Sequence, residues 1–265
     1  MNEKGKNKKY MRDAMGTNIK LDGGFRTKAE QEAGKKIEEI FMKCPDSVEM
    51  KLENFTKYVR RQRLTRFLAQ YELFKRVIDV KGSIIECGVY RGFGLMAWAQ
   101  LSAILEPVDL TRRIYGFDTF GGFPATHEKD QSKFGKIDSG ALCSYSDDEL
   151  IELIKIYDSN RFLGHIPKVE LIKGDAVKTI PEFVDDNKHL LVSLLFLDFD
   201  LYEPTRVAIE CFFSRMPKGA IIAFDELDNP LWPGETLALL ETIGINKLRI
   251  KRIEFDPYIG YAVIE

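Results

Sequence analysis

The chain has 265 residues, 45% of them hydrophobic and 30% charged, enough to bury one substantial core with an appendage beside it. Its formal net charge is −2, so no global basic field draws it to nucleic acid or to an anionic membrane surface, and neither is an expected partner. Cys44, Cys87, Cys143 and Cys211 lack both the paired spacing of a zinc site and the density of a secreted disulfide framework, and read as reduced thiols of a cytoplasmic protein.

Residues 1–34 are polar, rich in Lys and Gly and nearly free of aliphatic side chains, so they are expected to form a tail or a lid without a core of its own. They carry no apolar signal-peptide core, and no later stretch has the length and apolarity to span a bilayer, which predicts a soluble cytoplasmic protein. Over 35–80 apolar residues recur at helical spacing, as in Ile37, Ile40 and Phe41, then Leu64, Phe67, Leu68, Tyr71, Phe74 and Ile78. This predicts a helical N-terminal extension packed on a main domain over 81–265. In that domain aliphatic runs at 83–89, 113–117, 169–172, 191–197 and 220–224 mostly alternate with helical segments, the pattern of a parallel sheet covered on both faces. Two last runs, 248–253 and 258–264, meet at Asp256-Pro257 and predict a closing antiparallel hairpin. The expected fold class is α/β: a Rossmann-like, mainly parallel, doubly wound sheet with a reversed final strand. The long, polar, Gly-rich stretch 121–146 is a candidate substrate lid.

The segment from Leu194 to Asp228 carries the most chemistry. It twice runs an apolar strand into acids, Asp198 and Asp200 after the first and Asp225, Glu226 and Asp228 after the second. The helical stretch between them makes a strand-helix-strand unit whose two carboxyl-terminal ends lie side by side, at the edge where such sheets bind ligands. Carboxylates gathered there without local basic partners repel one another, unless a divalent cation, a proton or a cationic substrate lies between them. A metal-assisted or base-assisted active site is expected.

Acids also follow the earlier strands. In Glu86-Cys87-Gly88-Val89-Tyr90-Arg91-Gly92-Phe93-Gly94, Gly88 lets a ligand approach the backbone, Glu86 suits a cationic group such as the amino group of S-adenosylmethionine, and Arg91 suits a carboxylate. Taken alone, the segment reads equally well as an ordinary strand-to-helix turn. Asp118, in Asp118-Thr119-Phe120, can accept both hydroxyls of a ribose or cap the following turn. Asp175, in Asp175-Ala176, can accept an adenine amino group or cap a helix from Val177. Acids at five strand ends together favour a nucleoside ligand over coincidence. Weaker candidates are His127, His165 and His189 as bases, although lone histidines are more often surface residues. Trp232 could wall a pocket or cover a rigid turn. Tyr58 heads a Tyr-Val-Arg-Arg-Gln segment that suits an anionic ligand or a solvated helix face.

In this order the pieces ECGVYRG, YGFDTFGGFP, KGDAVKTIP, LDFDLYEPT and AFDELDN resemble the macrocin O-methyltransferase family, enzymes that methylate sugars of macrolides and related natural products. The resemblance runs from about Tyr58 to the C-terminus. It implies a class I methyltransferase fold, S-adenosylmethionine as methyl donor, magnesium held by carboxylates after strands four and five, a small sugar-containing acceptor, and a dimer or larger homo-oligomer. Carried over residue by residue, it places Glu86, Gly88 and Arg91 at the methionine end of the cofactor, with Cys87 and Tyr90 also among the cofactor contacts. Asp118 falls at the ribose and Asp175 on the adenine side, with Thr119, Phe120 and Ala176 also among the cofactor contacts. Asp198, Asp225 and Glu226 form the implied metal triplet, with Asp198 also facing the cofactor and Asp200 as general base. Tyr58, His127, Asp228 and Trp232 are candidate acceptor contacts. The chain departs from the family pattern at Glu226, where a second aspartate is typical, and the longer side chain tests magnesium's strict octahedral geometry.

Two other functions compete. A Rossmann-type oxidoreductase or nucleotide-sugar epimerase is disfavoured because the first turn is not GxGxxG and no Tyr-x-x-x-Lys pair follows strand four. A non-catalytic binding protein on a methyltransferase fold is disfavoured by the intact acids. The acceptor's identity, and oxygen against nitrogen as the atom methylated, stay open.

Overall fold

A computed structural model describes residues 27–133 and 137–265. Most of the tail expected over 1–34, and a short part of the 121–146 loop, fall outside the described residues. Helix α1 (Lys28–Lys43) begins before the expected Gly34 boundary because Thr27 and Glu30 form a capping box: the Thr27 hydroxyl accepts the Glu30 N–H at 3.2 Å and the Glu30 carboxylate accepts the Thr27 N–H at 3.0 Å. Helices α2 (Val48–Glu53) and α3 (Arg61–Lys75) follow.

The sheet domain then runs β1 (Ser83–Cys87), α4 (Phe93–Leu105), β2 (Ile114–Asp118), α5 (Asp147–Ser159), β3 (Val169–Lys173), α6 (Ala176–Asp186), β4 (Val192–Leu197), α7 (Tyr202–Phe212), β5 (Ile221–Phe224), α8 (Pro233–Thr242), β6 (Lys251–Arg252) and β7 (Gly260–Val263). The strand order is β3-β2-β1-β4-β5-β7-β6, with β1 to β5 parallel and β7 antiparallel to both β5 and β6. The mainly parallel sheet with a reversed closing hairpin, expected from the run of apolar segments, is what the chain forms. The continuous apolar runs divide by strand alternation. Ile84, Leu194 and Ile221 face α3, α4 and α5 through Leu73, Phe74, Trp98 and Tyr157, whereas Ile85, Leu195 and Ile222 face α6, α7 and α8 through Ile180, Phe183, Phe212 and Leu239.

The two ends of the sheet differ in chemistry. At the amino-terminal end the buried Arg112 guanidinium pairs with Glu106 at 2.9 Å and donates to the carbonyls of Val77 at 2.9 Å and of Gly82, Ile78 and Val80 at 3.1 Å, which ties the end of α3 to β1. At the carboxyl-terminal end β1 leaves the sheet through Gly88, whose φ of 100° is left-handed and whose missing side chain lets the Asp198 carbonyl lie against it. Gly88→Ala is expected to lower stability by at least about 1–2 kcal/mol from the left-handed backbone alone, with a further cost from the collision at Asp198, read as a fall in the urea midpoint. An unchanged midpoint would show that the β1 and β4 ends do not need this close approach.

Candidate active site

The carboxyl-terminal ends of β1 to β5 open onto a cleft of about 860 Å³. Glu86, at the end of β1, is 1% exposed, its Oε2 has no hydrogen-bond partner, and burial followed by the charges of Asp225 and Asp118 pushes its carboxyl well above the usual range. Gln70, on α3, also lines the cleft and also leaves its buried Oε1 without a partner. Two orphaned acceptors beside the bare backbone of Gly88 fit the ammonium of S-adenosylmethionine.

Asp118 is held by the turn it faces. Its Oδ2 accepts the N–H groups of Val89 at 2.8 Å and Tyr90 at 2.7 Å, and its Oδ1 accepts that of Phe120 at 2.6 Å, so one carboxylate locks the loops after β1 and β2 together. Tyr90 (φ 52°), Phe120 (φ 55°) and Asp200 (φ 60°) all adopt left-handed backbone at these strand ends, strain that concentrates where loops are built around a ligand. Asp175 caps α6 by accepting the Val177 N–H at 3.2 Å, and with Ala176 it lines the far side of the cleft. Thr119 lines it too and donates to the Gly122 carbonyl at 2.6 Å, while the Arg91 guanidinium lies over the Tyr90 ring at 5.4 Å.

The acids after β4 and β5 converge around one guanidinium. Arg66 of α3 forks onto Asp225, with Nη1 to Oδ1 and with Nη2 to Oδ2 at 3.0 Å, and Nη1 lies 3.9 Å from Asp256. Burial, then the Asp225 and Asp200 charges, holds the Asp198 carboxyl well above its ordinary value, and burial with the Glu226 and Asp225 charges does the same to Asp200. Burial, then Asp225, raises Glu226 to about 7. Glu235, fully buried in the first turn of α8, accepts the Asp200 N–H at 3.2 Å and the Glu226 N–H at 3.1 Å and so joins the loops after β4 and β5.

The three carboxylates expected to hold magnesium are not disposed as an ion site. Both oxygens of Asp225 are taken by Arg66, Glu226 accepts from the Asn229 amide and does not line the cleft, and Asp198 hydrogen-bonds Asp225. Among the described residues no group of three or more such side chains is arranged to hold a metal ion.

Of the other candidates, His127 lines the cleft beside Tyr202, its Nδ1 accepting the Lys129 N–H at 3.1 Å. The rest lie off the cleft lining. Cys87 and Phe120 are buried on opposite faces of the sheet, Trp232 packs with Leu201 and Leu231, and Tyr58 stacks edge-on against Phe41 at 4.9 Å. The Asp228 N–H is held by the Thr236 hydroxyl at 2.9 Å. Sequence reading missed the wall made by α3, although Arg63, Arg66 and Gln70, at i, i+3 and i+7, form one polar helical face. It also missed Asp130, which binds the N–H groups of His127 and Tyr202, both at 2.6 Å, and ties the loop after β2 to α7.

This sheet order, with its acid-rich cleft and reversed strand, defines a class I methyltransferase. Residues 47–238 match the family described as Macrocin-O-methyltransferase (TylF), and the chain belongs to that family as an S-adenosylmethionine-dependent O-methyltransferase. Among solved structures it is similar to CalS11, a calicheamicin methyltransferase, with 32% identity, TM-score 0.86, and 90% of this chain and 93% of that one covered. A second structure, described as apo CalS11, TDP-rhamnose 3'-O-methyltransferase, gives 30% identity, TM-score 0.78 and coverage of 90% and 95%. The O-methyltransferase NovP shares the fold, at 20% identity, TM-score 0.61 and coverage of 76% and 79%. No curated protein sequence matches.

Asp118→Ala removes the acceptor for three backbone amides, and calorimetry with S-adenosylhomocysteine should show affinity at least about ten-fold weaker; equal affinity would mean that the turn holds without it. Glu226 is an acid whose folded value lies above its unfolded one, so it is neutral and costs nothing below about 4.5, and the native state loses stability as pH rises from there to about 7. Thermal melting in metal-free buffer should therefore show Glu226→Gln gaining stability over the parent chain at pH 7.5 and matching it at pH 4. A constant difference across that range would show that Glu226 does not titrate in this window.

Proposed function

We propose that the enzyme methylates a hydroxyl of a sugar, carried on a nucleotide or on a natural product, with Asp200 as general base. The carrying observation is that one cleft brings the orphaned acceptors Glu86 and Gln70 together with Asp200. The sugar as acceptor is supported by the family, Macrocin-O-methyltransferase, and by the 30% identical TDP-rhamnose 3'-O-methyltransferase.

When bound, S-adenosylmethionine supplies an electrophilic methyl on a sulfonium. The protein has to hold the acceptor oxygen in line with that methyl and take its proton. Glu86, Gln70 and the Gly88 turn orient the donor. Asp200, whose carboxyl is held above its ordinary value by burial and by the Glu226 and Asp225 charges, receives the proton as the new C–O bond forms and the C–S pair returns to sulfur. No step is routed through magnesium, because its expected ligands are already partnered. Asp130 and His127 line the cleft, and Asp130 ties the loop after β2 to α7, which supports a role as a lid for this loop. No helix among the described residues is long and apolar enough to cross a membrane. The exposed Ile40, Met42, Val48 and Leu52 of α1 and α2 support self-association into a homo-oligomer, and the reduced thiols and biosynthetic family support a cytoplasmic enzyme.

Transfer of labelled methyl groups to a panel of nucleotide-linked deoxysugars tests the acceptor class, and transfer only to amines or to no sugar would overturn it. On an accepted sugar, Asp200→Asn should lower kcat by at least about 100-fold while S-adenosylhomocysteine affinity stays within about two-fold. Undiminished kcat would remove Asp200 from the base role.

A further inference from the structure

The strand-end acids hold a cation that belongs to the chain itself. Arg66 projects from α3 into the cleft that it lines together with Asp198, Asp200 and Asp225, its side chain 21% exposed against 7% for Asp225 and 5% for Asp256. It is bidentate on Asp225, and the charges of Asp198 and Glu226 also act on it. A guanidinium has five N–H donors, of which Asp225 takes two, and its planar fork fixes the direction of the rest. That is a positive, directional group at the place where a divalent ion would otherwise polarise the acceptor oxygen.

We propose that Arg66 replaces the divalent ion in this enzyme: anchored on Asp225, it neutralises the strand-end acids and steadies the negative charge that grows on the acceptor oxygen as Asp200 takes its proton. This rests on the methyl-transfer reading of the cleft. The displaced-cation part does not, since it concerns only which cation the acids hold. The electron count is that of the transfer already described. Arg66 forms and breaks no covalent bond and keeps its proton throughout.

The first test is Mn²⁺ titration of the purified full-length protein, following the free-ion paramagnetic signal. The parent chain should show no saturable uptake up to about 1 mM, whereas Arg66→Met, which frees Asp225, should gain a single site at least about ten-fold tighter than anything in the parent. Saturable one-equivalent uptake by the parent chain, abolished in Asp225→Asn, would overturn the proposal by showing that the ion displaces the guanidinium. Arg66→Lys, which keeps the charge and loses the fork, serves where the methionine variant does not fold; it should gain Mn²⁺ affinity over the parent, and none gained would count against Arg66 as the blocking group. The second test is turnover on an accepted sugar. Chelator should leave the parent rate unchanged, and Arg66→Met should lose at least about 100-fold in kcat with S-adenosylhomocysteine affinity retained. A chelator-sensitive rate restored by magnesium would sink the proposal while leaving the sugar methyltransferase reading intact, and absence of any methyl transfer would sink that reading without touching the Mn²⁺ result.

Discussion

Several carboxylates are buried at one edge of one sheet, and the Arg66–Asp225 fork is the interaction that makes this tolerable. Asp198, Asp200, Asp225 and Glu226 are all pushed toward their protonated forms by burial, and the Asp225 charge raises the other three further. A buried ion pair repays its desolvation only when the geometry is good and the remaining lone pairs are satisfied. The bidentate fork meets the first condition. Glu235 and Asn229 meet part of the second by holding the Asp200 and Glu226 backbone and the Glu226 side chain. Because Arg66 comes from α3, that helix lines the cleft and is not only a cover for the sheet.

The same economy recurs around the cleft. Asp118 binds three amides, Asp130 binds two and Glu235 binds two, so three acids use their oxygens to join loops that follow different strands. Each loop is thereby referenced to the rigid sheet through a neighbour. This is how left-handed residues such as Tyr90 and Asp200 are kept in place, since the surrounding bonds outweigh a strain of about 1–3 kcal/mol at each. The acids left with unpaired capacity facing the cleft, Glu86 above all, are the ones suited to a ligand.

The local pattern determined a great deal. The apolar runs at 83–89, 191–197 and 220–224 fell on β1, β4 and β5 because a strand buried on both faces has to be continuously apolar, and acids directly after such runs had to lie at the ligand-binding edge. Asp175 as a helix cap was equally local, since the cap and the amide it accepts are two residues apart. The family was legible because its motifs are short, ordered segments of this kind.

What only the tertiary structure decided is which of those acids are free. Arg66 and Asp225 are 159 residues apart, Asp130 and Tyr202 are 72 apart, and nothing in either neighbourhood announces the other. The sequence shows a row of acids and leaves open whether a metal, a proton or a cation balances them. The fold places α3 across the ends of β1 and β5, and a guanidinium from that helix answers the question. Charge balance in a buried site is a property of three-dimensional neighbours: the sequence by itself determined where the chemistry lies, and the packing of α3 against the sheet decided which cation balances it.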